Sequence, residues 1–275
     1  MRRRNRRPER KGSLATRNDR AAESSDLAAR FSHPVARCQI SSILTGGVLQ
    51  YHGRMRVECR GLLFDLDGVL VDSTPAVARV WSAWALEHGF DPEKVVQAAH
   101  GRPSIVTIRE LLPQADAEEE DAIVEQRELH DMEGMVALPG SVELLSIFPE
   151  DRWGIVTSGT RTLASKRLHT AGLPIPKHFV TASDIRKGKP DPEPYLIGVE
   201  TLGFAAADTI VVEDAPNGVR SGRGAGVRVI ALRTTANDKD LLAAGANWIV
   251  DSLASVFGVV THAGLELELR DGASG

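Results

Sequence analysis

The chain has 275 residues, 42% of them apolar and 25% charged, enough for one α/β core with a sizeable insertion. No apolar run reaches the roughly 18 residues of a membrane-spanning helix, so no membrane partner is expected. Cys38 and Cys59 have neither metal-ligand nor redox spacing, which points to unpaired thiols in a reducing compartment. With no secretory h-region beside the N-terminal arginines, a cytoplasmic location is expected.

The net charge of −4 hides an asymmetry: residues 1–60 hold 14 Lys and Arg against 5 Asp and Glu, and the remainder holds 19 against 32. An acidic body disfavours nucleic acid, although the arginine-rich head offers a binding option. Residues 1–55 lack apolar periodicity and are expected to be a disordered basic extension. A transit-like peptide, or a start at Met55, are the other readings.

From residue 60 the text changes. Residues 61–65 form a short apolar run ending in a carboxylate, as a buried parallel strand does. Helical spacing follows over 75–90, 92–99, 104–112 and 116–132, with Trp81 and Trp84 on the first helix expected to pack in its core. From Gly140 strands and helices alternate. Strands are expected near 153–157, 178–181, 209–213, 227–231 and 247–250. Helices are expected near 141–148, 161–171, 192–202 and 216–224. This rhythm predicts an α/β fold, a Rossmann-like parallel sheet covered on both faces. The core comprises 56–72 and 140–258, with 73–139 as a helical cap inserted after the first strand. Residues 259–275 are expected to be a tail or, from the alternation of Leu265, Leu267 and Leu269, one edge strand.

Open parallel sheets bind ligands at the carboxyl ends of their strands, and four polar clusters fall there. In FDLDGVLVDS, residues 64–73, Asp65 and Asp67 stand two apart past the first strand, with Gly68 easing a bend. Two carboxylates in one cleft suit a nucleophile and a general acid and base. In IVTSGT, residues 155–160, the hydroxyls of Thr157 and Ser158 with Gly159 precede a helix and suit a phosphate cradle. In KGKPDPEPY, residues 187–195, Lys189 stands before a proline-rich turn and suits charge balance at a transferring phosphoryl group, with Lys187 as rival. In VVEDAPNGV, residues 211–219, Glu213 and Asp214 end an apolar strand and suit Mg²⁺. Unit charges about 4 Å apart repel by roughly 4 kcal/mol at an effective dielectric of about 20. A phosphate dianion approaching these acids therefore requires a cation.

This ordered set resembles the haloacid dehalogenase superfamily over residues 60–255, in particular the branch with a small helical cap that holds β-phosphoglucomutase and sugar or glycerol phosphate phosphatases. The resemblance implies that Asp65 attacks phosphorus to form an aspartyl-phosphate. Asp67 would protonate the leaving alcohol and then activate water. Thr157 or Ser158 would bind the phosphoryl group, and Lys189 would balance its charge. Asp65, the Asp67 carbonyl and Asp214 would hold Mg²⁺, with Glu213 in or just outside that shell. Asp67 argues against dehalogenase chemistry, which lacks the second aspartate. Lys94, the only lysine between Ser73 and Pro139, lies in a polar helix-start context that does not suit the imine-forming cap lysine of the phosphonate-cleaving relatives.

Val77 stands where the mutase carries a histidine, and His100, Gly101 and Arg102 resemble a stretch found in the phosphatases. His100 and Arg102 are therefore the candidates for reading the leaving group. The expected function is a Mg²⁺-dependent phosphomonoesterase acting on a small phosphorylated metabolite, a sugar or polyol phosphate. A phosphosugar mutase is the nearest alternative, and a non-catalytic or nucleic-acid-binding module is the alternative from another class. Nothing in the sequence fixes the oligomeric state.

Overall fold

A computed structural model describes residues 54–99 and 101–270, together with the backbone of two short paired strands, β1 (Leu44–Thr45) and β2 (Val48–Leu49). Strand β3 (Arg54–Cys59) takes in Met55, and the rest of the expected basic extension, β1 and β2 apart, lies outside the described residues. The central sheet has six parallel strands: β4 (Gly61–Phe64), β7 (Trp153–Val156), β8 (His178–Val180), β9 (Thr209–Glu213), β10 (Arg228–Leu232) and β11 (Trp248–Val250). Their order is β11-β10-β9-β4-β7-β8. The chain leaves β4 for β7 on one side and later returns to β9 on the other, so the carboxyl end of β4 is a topological switch point.

Apolar side chains leave both faces of every strand, as a sheet covered on two sides requires. From β4, Leu62 and Phe64 join one core and Leu63 the other. The first core is completed by α5 (Ser141–Ile147) and α6 (Arg161–Thr170). The second is completed by α7 (Glu193–Leu202), α8 (Pro216–Gly224) and α9 (Asp238–Ala244). Helix α9 was not among the expected elements. It has only seven residues, too few for a periodic signal, although Asn237 caps its start and Gly245 its end.

A second difference lies at the C-terminal end. Strand β13 (Leu265–Arg270) is neither a tail nor an edge of the parallel sheet. It is the middle strand of a separate antiparallel sheet, ordered β12-β13-β3, with β12 at Val256–Val260. Leu265, Leu267 and Leu269 lie opposite Cys59, Val57 and Met55 and turn toward the first core. The alternating acids meet Arg54 and Arg56 on the solvent side.

Between β4 and α5 stand four helices: α1 (Thr74–Glu87), α2 (Pro92–Ala99), α3 (Ser104–Leu111) and α4 (Ala117–His130). They close on an apolar cluster of their own that includes Val80, Trp81, Trp84, Val95, Ile108 and Val124. Both tryptophans are buried there as expected, edge to face at 5.6 Å. The helical block is entered through β5 (Val71–Asp72) and left through β6 (Val136–Ala137), which pair antiparallel. Among the described residues no helix is long and apolar enough to cross a membrane.

Candidate active site

The carboxyl ends of β7, β4 and β9 lie side by side and deliver Thr157, Asp65 and Glu213–Asp214 to one cavity edge. The loop after β4 is held by its own apolar side chains. Leu66, Val69 and Leu70 are fully buried, and Leu70 and Val71 donate backbone hydrogen bonds to the Leu66 carbonyl. This leaves Asp65 and Asp67 facing a cavity of about 150 Å³ between the sheet and the helical block. Gly68 adopts φ +80°, and a Cβ there would lie 2.0 Å from Asp214 Oδ2. The bend needs glycine both for its backbone and for the carboxylate beside it.

Lys189 is buried at the centre. Its Nζ donates to Asp65 Oδ1 at 2.7 Å, to Glu213 Oε1 at 2.6 Å and to the Val156 carbonyl at 3.1 Å. Lys187, the alternative, is 72% exposed and pairs with Asp191 at the surface. Tyr195, at the end of the same motif, donates to Glu213 Oε1 at 2.7 Å and lays its ring 5.0 Å from Lys189 Nζ. Glu213 Oε2 accepts from the Asp214 and Ala215 backbone N–H groups. Both Glu213 oxygens are thus committed to protein donors. Thr235 donates to the Asp214 carboxylate and to its carbonyl oxygen. Gly218 on α8 leaves the space that the Glu213 carboxylate fills, since a Cβ there would meet Oε1 at 1.8 Å.

The electrostatics follow from crowding. Burial pushes the Asp65 carboxyl well above the usual carboxylate range; Lys189 works against this, while Glu213 and Asp214 add to it. Burial disfavours the charged lysine as well, but Asp65 and Glu213 outweigh it and hold the ammonium above the usual lysine range. Burial and the same carboxylates raise the Tyr195 phenol, which keeps it a donor. One ammonium therefore faces three buried carboxylates, whose oxygens from Asp65, Glu213 and Asp214 lie within 4.8 Å of one another. With Asp65 and Asp214 as hard oxygen donors and Glu213 adding negative charge behind them, the cluster fits Mg²⁺.

Thr157 is buried, with its Oγ1 accepting from Gly159 N–H at 3.1 Å, and Ser158 and Gly159 line the cavity beside it. Asp67 binds a residue that the motifs did not mark. Arg167 of α6 donates from Nη1 to Asp67 Oδ2 at 2.7 Å and from Nη2 to Glu128 Oε2 of α4 at 3.0 Å. The local sequence around Arg167 and Glu128 carries no signal for either contact.

On the helical side, Arg102 lines the cavity and binds Glu110 at 2.6 Å, holding that carboxyl below its usual range. His100 lies outside the described residues. Val77 also lines the cavity, as do Asp121, Glu125 and Glu128, which share one face of α4. Asp121 accepts from Ser104, and Glu125 from Thr160 across the gap between block and core. Lys94 is 82% exposed and paired with Asp91, away from the cavity.

Comparison with known proteins agrees with this arrangement. Residues 59–226 match the sequence model of the haloacid dehalogenase-like hydrolases. The chain is 46% identical to Hexitol phosphatase A of Escherichia coli K12 over 66% of its own length and 86% of that protein. It is 33% identical to Glycerol-1-phosphate phosphohydrolase 2 of Saccharomyces cerevisiae over 74% of its own length and 86% of that protein. Its fold superposes on the crystal structure of a hydrolase from Pseudomonas syringae with a TM-score of 0.62 at 25% identity, covering 71% of this chain and 94% of that one. The chain is an enzyme that belongs to the haloacid dehalogenase-like hydrolases.

Proposed function

We propose that the protein is a Mg²⁺-dependent phosphomonoesterase that hydrolyses a small sugar phosphate or polyol phosphate through an aspartyl-phosphate on Asp65. The observation that carries this reading is the buried Lys189 bridging Asp65 and Glu213 beside Asp214, with Asp67 across the same cavity. Residues 56–72 and 140–258 act as catalytic core and residues 73–139 as the cap. The names of the similar proteins, phosphatases of a hexitol phosphate and a glycerol phosphate, support the substrate class.

In the first step an Asp65 oxygen bonds to phosphorus as the ester P–O bond breaks, and Asp67 gives a proton to the departing alcohol oxygen. In the second, water oxygen bonds to phosphorus, its proton passes to Asp67, and the Asp65–phosphorus bond breaks to restore the carboxylate. Thr157, Ser158 and Gly159 cradle the phosphoryl oxygens. Lys189 offsets their charge and fixes the attacking carboxylate. Asp65, the Asp67 carbonyl and Asp214 would hold Mg²⁺. Glu213, its oxygens already committed, orients Lys189 from behind. The metal supplies charge neutralisation where dianion and carboxylates meet, each such pair otherwise costing roughly 4 kcal/mol at 4 Å and an effective dielectric of about 20.

The cap wall favours hydrolysis of a monophosphate over mutase chemistry. A mutase must seat a second phosphate against its cap. Here that wall presents Asp121, Glu125 and Glu128, and its arginine, Arg102, is engaged by Glu110. Carboxylates accept hydrogen bonds from sugar or polyol hydroxyls and repel a second anion. Phosphate release from a panel of polyol phosphates, sugar phosphates and bisphosphates, with Mg²⁺ and with EDTA, tests the reading. Mg²⁺-dependent release from neutral-alcohol monophosphates is expected, and silence across the monophosphates would overturn it.

A further inference from the structure

Asp67 and Glu128 belong to different parts of the fold, yet one guanidinium holds both. Arg167 is 5% exposed. Its Nη1 edge donates to Asp67 Oδ2 on the core loop and its Nη2 edge to Glu128 Oε2 on α4. Glu128 is itself buried. Asp67 Oδ1 is buried and has no hydrogen-bond partner among the described residues. One oxygen of the carboxylate is therefore tied to Arg167 and the other is buried without a partner, in a side chain that lines the cavity together with Arg167 and Glu128.

A planar guanidinium gives donors in fixed directions, so anchoring one edge sets the other. If α4 moves away from α6, Arg167 loses Glu128 and is free to turn. Asp67 then loses the contact that fixes the orientation of its carboxylate. We propose that Arg167 is a positioning residue through which docking of Glu128 sets Asp67 for proton transfer, so that the acid–base step depends on the helical block being seated. This rests on the role assigned to Asp67 above.

Arg167→Met, Arg167→Lys and Glu128→Gln test it with two substrates. A glycerol or hexitol phosphate releases an alkoxide that needs a proton as the P–O bond breaks. p-Nitrophenyl phosphate releases a phenolate that needs none, but its aspartyl-phosphate still requires Asp67 to take a proton from water. The expected result for Arg167→Met is a kcat on the polyol phosphate lowered about 100-fold, with KM within about threefold. With p-nitrophenyl phosphate it should give a burst of one nitrophenolate per enzyme before slow turnover. Arg167→Lys should recover part of the loss. Should Arg167→Met fail to fold, Glu128→Gln carries the test, with a fall of about tenfold on the polyol phosphate and the burst retained.

Wild-type turnover of the polyol phosphate by Arg167→Met or by Glu128→Gln overturns the proposal. So does equal loss of the burst and of turnover, which would mark a structural role alone. Asp65→Asn separates the two levels. If it is inactive while Arg167→Met turns over normally, only this inference fails; if it is active, the reading beneath fails too.

Discussion

Lys189 Nζ lies 2.7 Å from Asp65 Oδ1 although 124 positions separate the two residues in the chain. The contact joins the turn before α7 to the end of the central strand and places the only ammonium of the cluster between two carboxylates. Lys189→Met leaves those carboxylates buried without a cation. In EDTA the variant should lose about 3–5 kcal/mol of stability, read from urea unfolding, and its phosphatase activity should vanish.

Metal removal gives a second test. EDTA should silence phosphate release and excess Mg²⁺ should restore it. Mg²⁺ at about 100 times its Kd should stabilise the wild type by about 2.7 kcal/mol, seen as a rise in Tm. Asp214→Asn should lose that rise, and an equal rise in the variant would place the metal elsewhere.

The two aspartates should separate by kinetics. Asp65→Asn should reduce turnover below detection, on the order of 10⁴-fold or more, as loss of a nucleophile does. Asp67→Asn should lower kcat by about 10²–10⁴ while substrate still binds, measured by calorimetry with the inactive protein.

Discrimination by the cap wall is also measurable. Asp121→Asn and Glu125→Gln should each raise KM for a polyol phosphate about threefold to tenfold, the difference between a charged and a neutral hydrogen-bond acceptor. They should also improve the relative kcat/KM for a substrate with a second anionic group. Unchanged discrimination would remove the wall from substrate recognition.

Cys59 supplies a pH dependence. Burial pushes its thiol up from 9.0 to about 12, with Arg228 acting in the opposite direction. The native state thus keeps this proton more tightly than the unfolded chain. The resulting stability is fully present below pH 9 and is lost as the pH rises toward 12. Urea midpoints of Cys59→Ala should fall less over that range than those of the wild type. Native Cys59 should also resist iodoacetamide until the chain unfolds, checked by peptide mass spectrometry.

The candidate site was legible in the sequence where a polar residue ends an apolar strand or stands just before a proline-rich turn. Asp65, Thr157, Lys189, Glu213 and Asp214 all stand in such places, and the structure brings them to one cavity edge. Arg167 and Glu128 were not legible, because they sit inside helices and acquire meaning only when α4 and α6 meet. Leu265, Leu267 and Leu269 announced a strand but not its sheet. Its partners, β3 and β12, come from opposite ends of the described chain. Tyr195 closed a quoted motif without a role, since its hydroxyl finds Glu213 only through the packing of α7 on the sheet.

The ribbon of β5 and β6 has an architectural consequence. Because Val71 lies opposite Ala137 and Asp72 opposite Val136, the chain departs and returns through adjacent positions, Cα atoms roughly 5 Å apart. The intervening segment is attached like a plug on a two-pin socket. Any helical cassette with neighbouring ends fits the same mount without altering the spacing of Asp65 from Lys189. Grafting such cassettes, with a glutamate kept in the place of Glu128 to hold Arg167, is therefore a direct route to new cavity walls over the same strand ends.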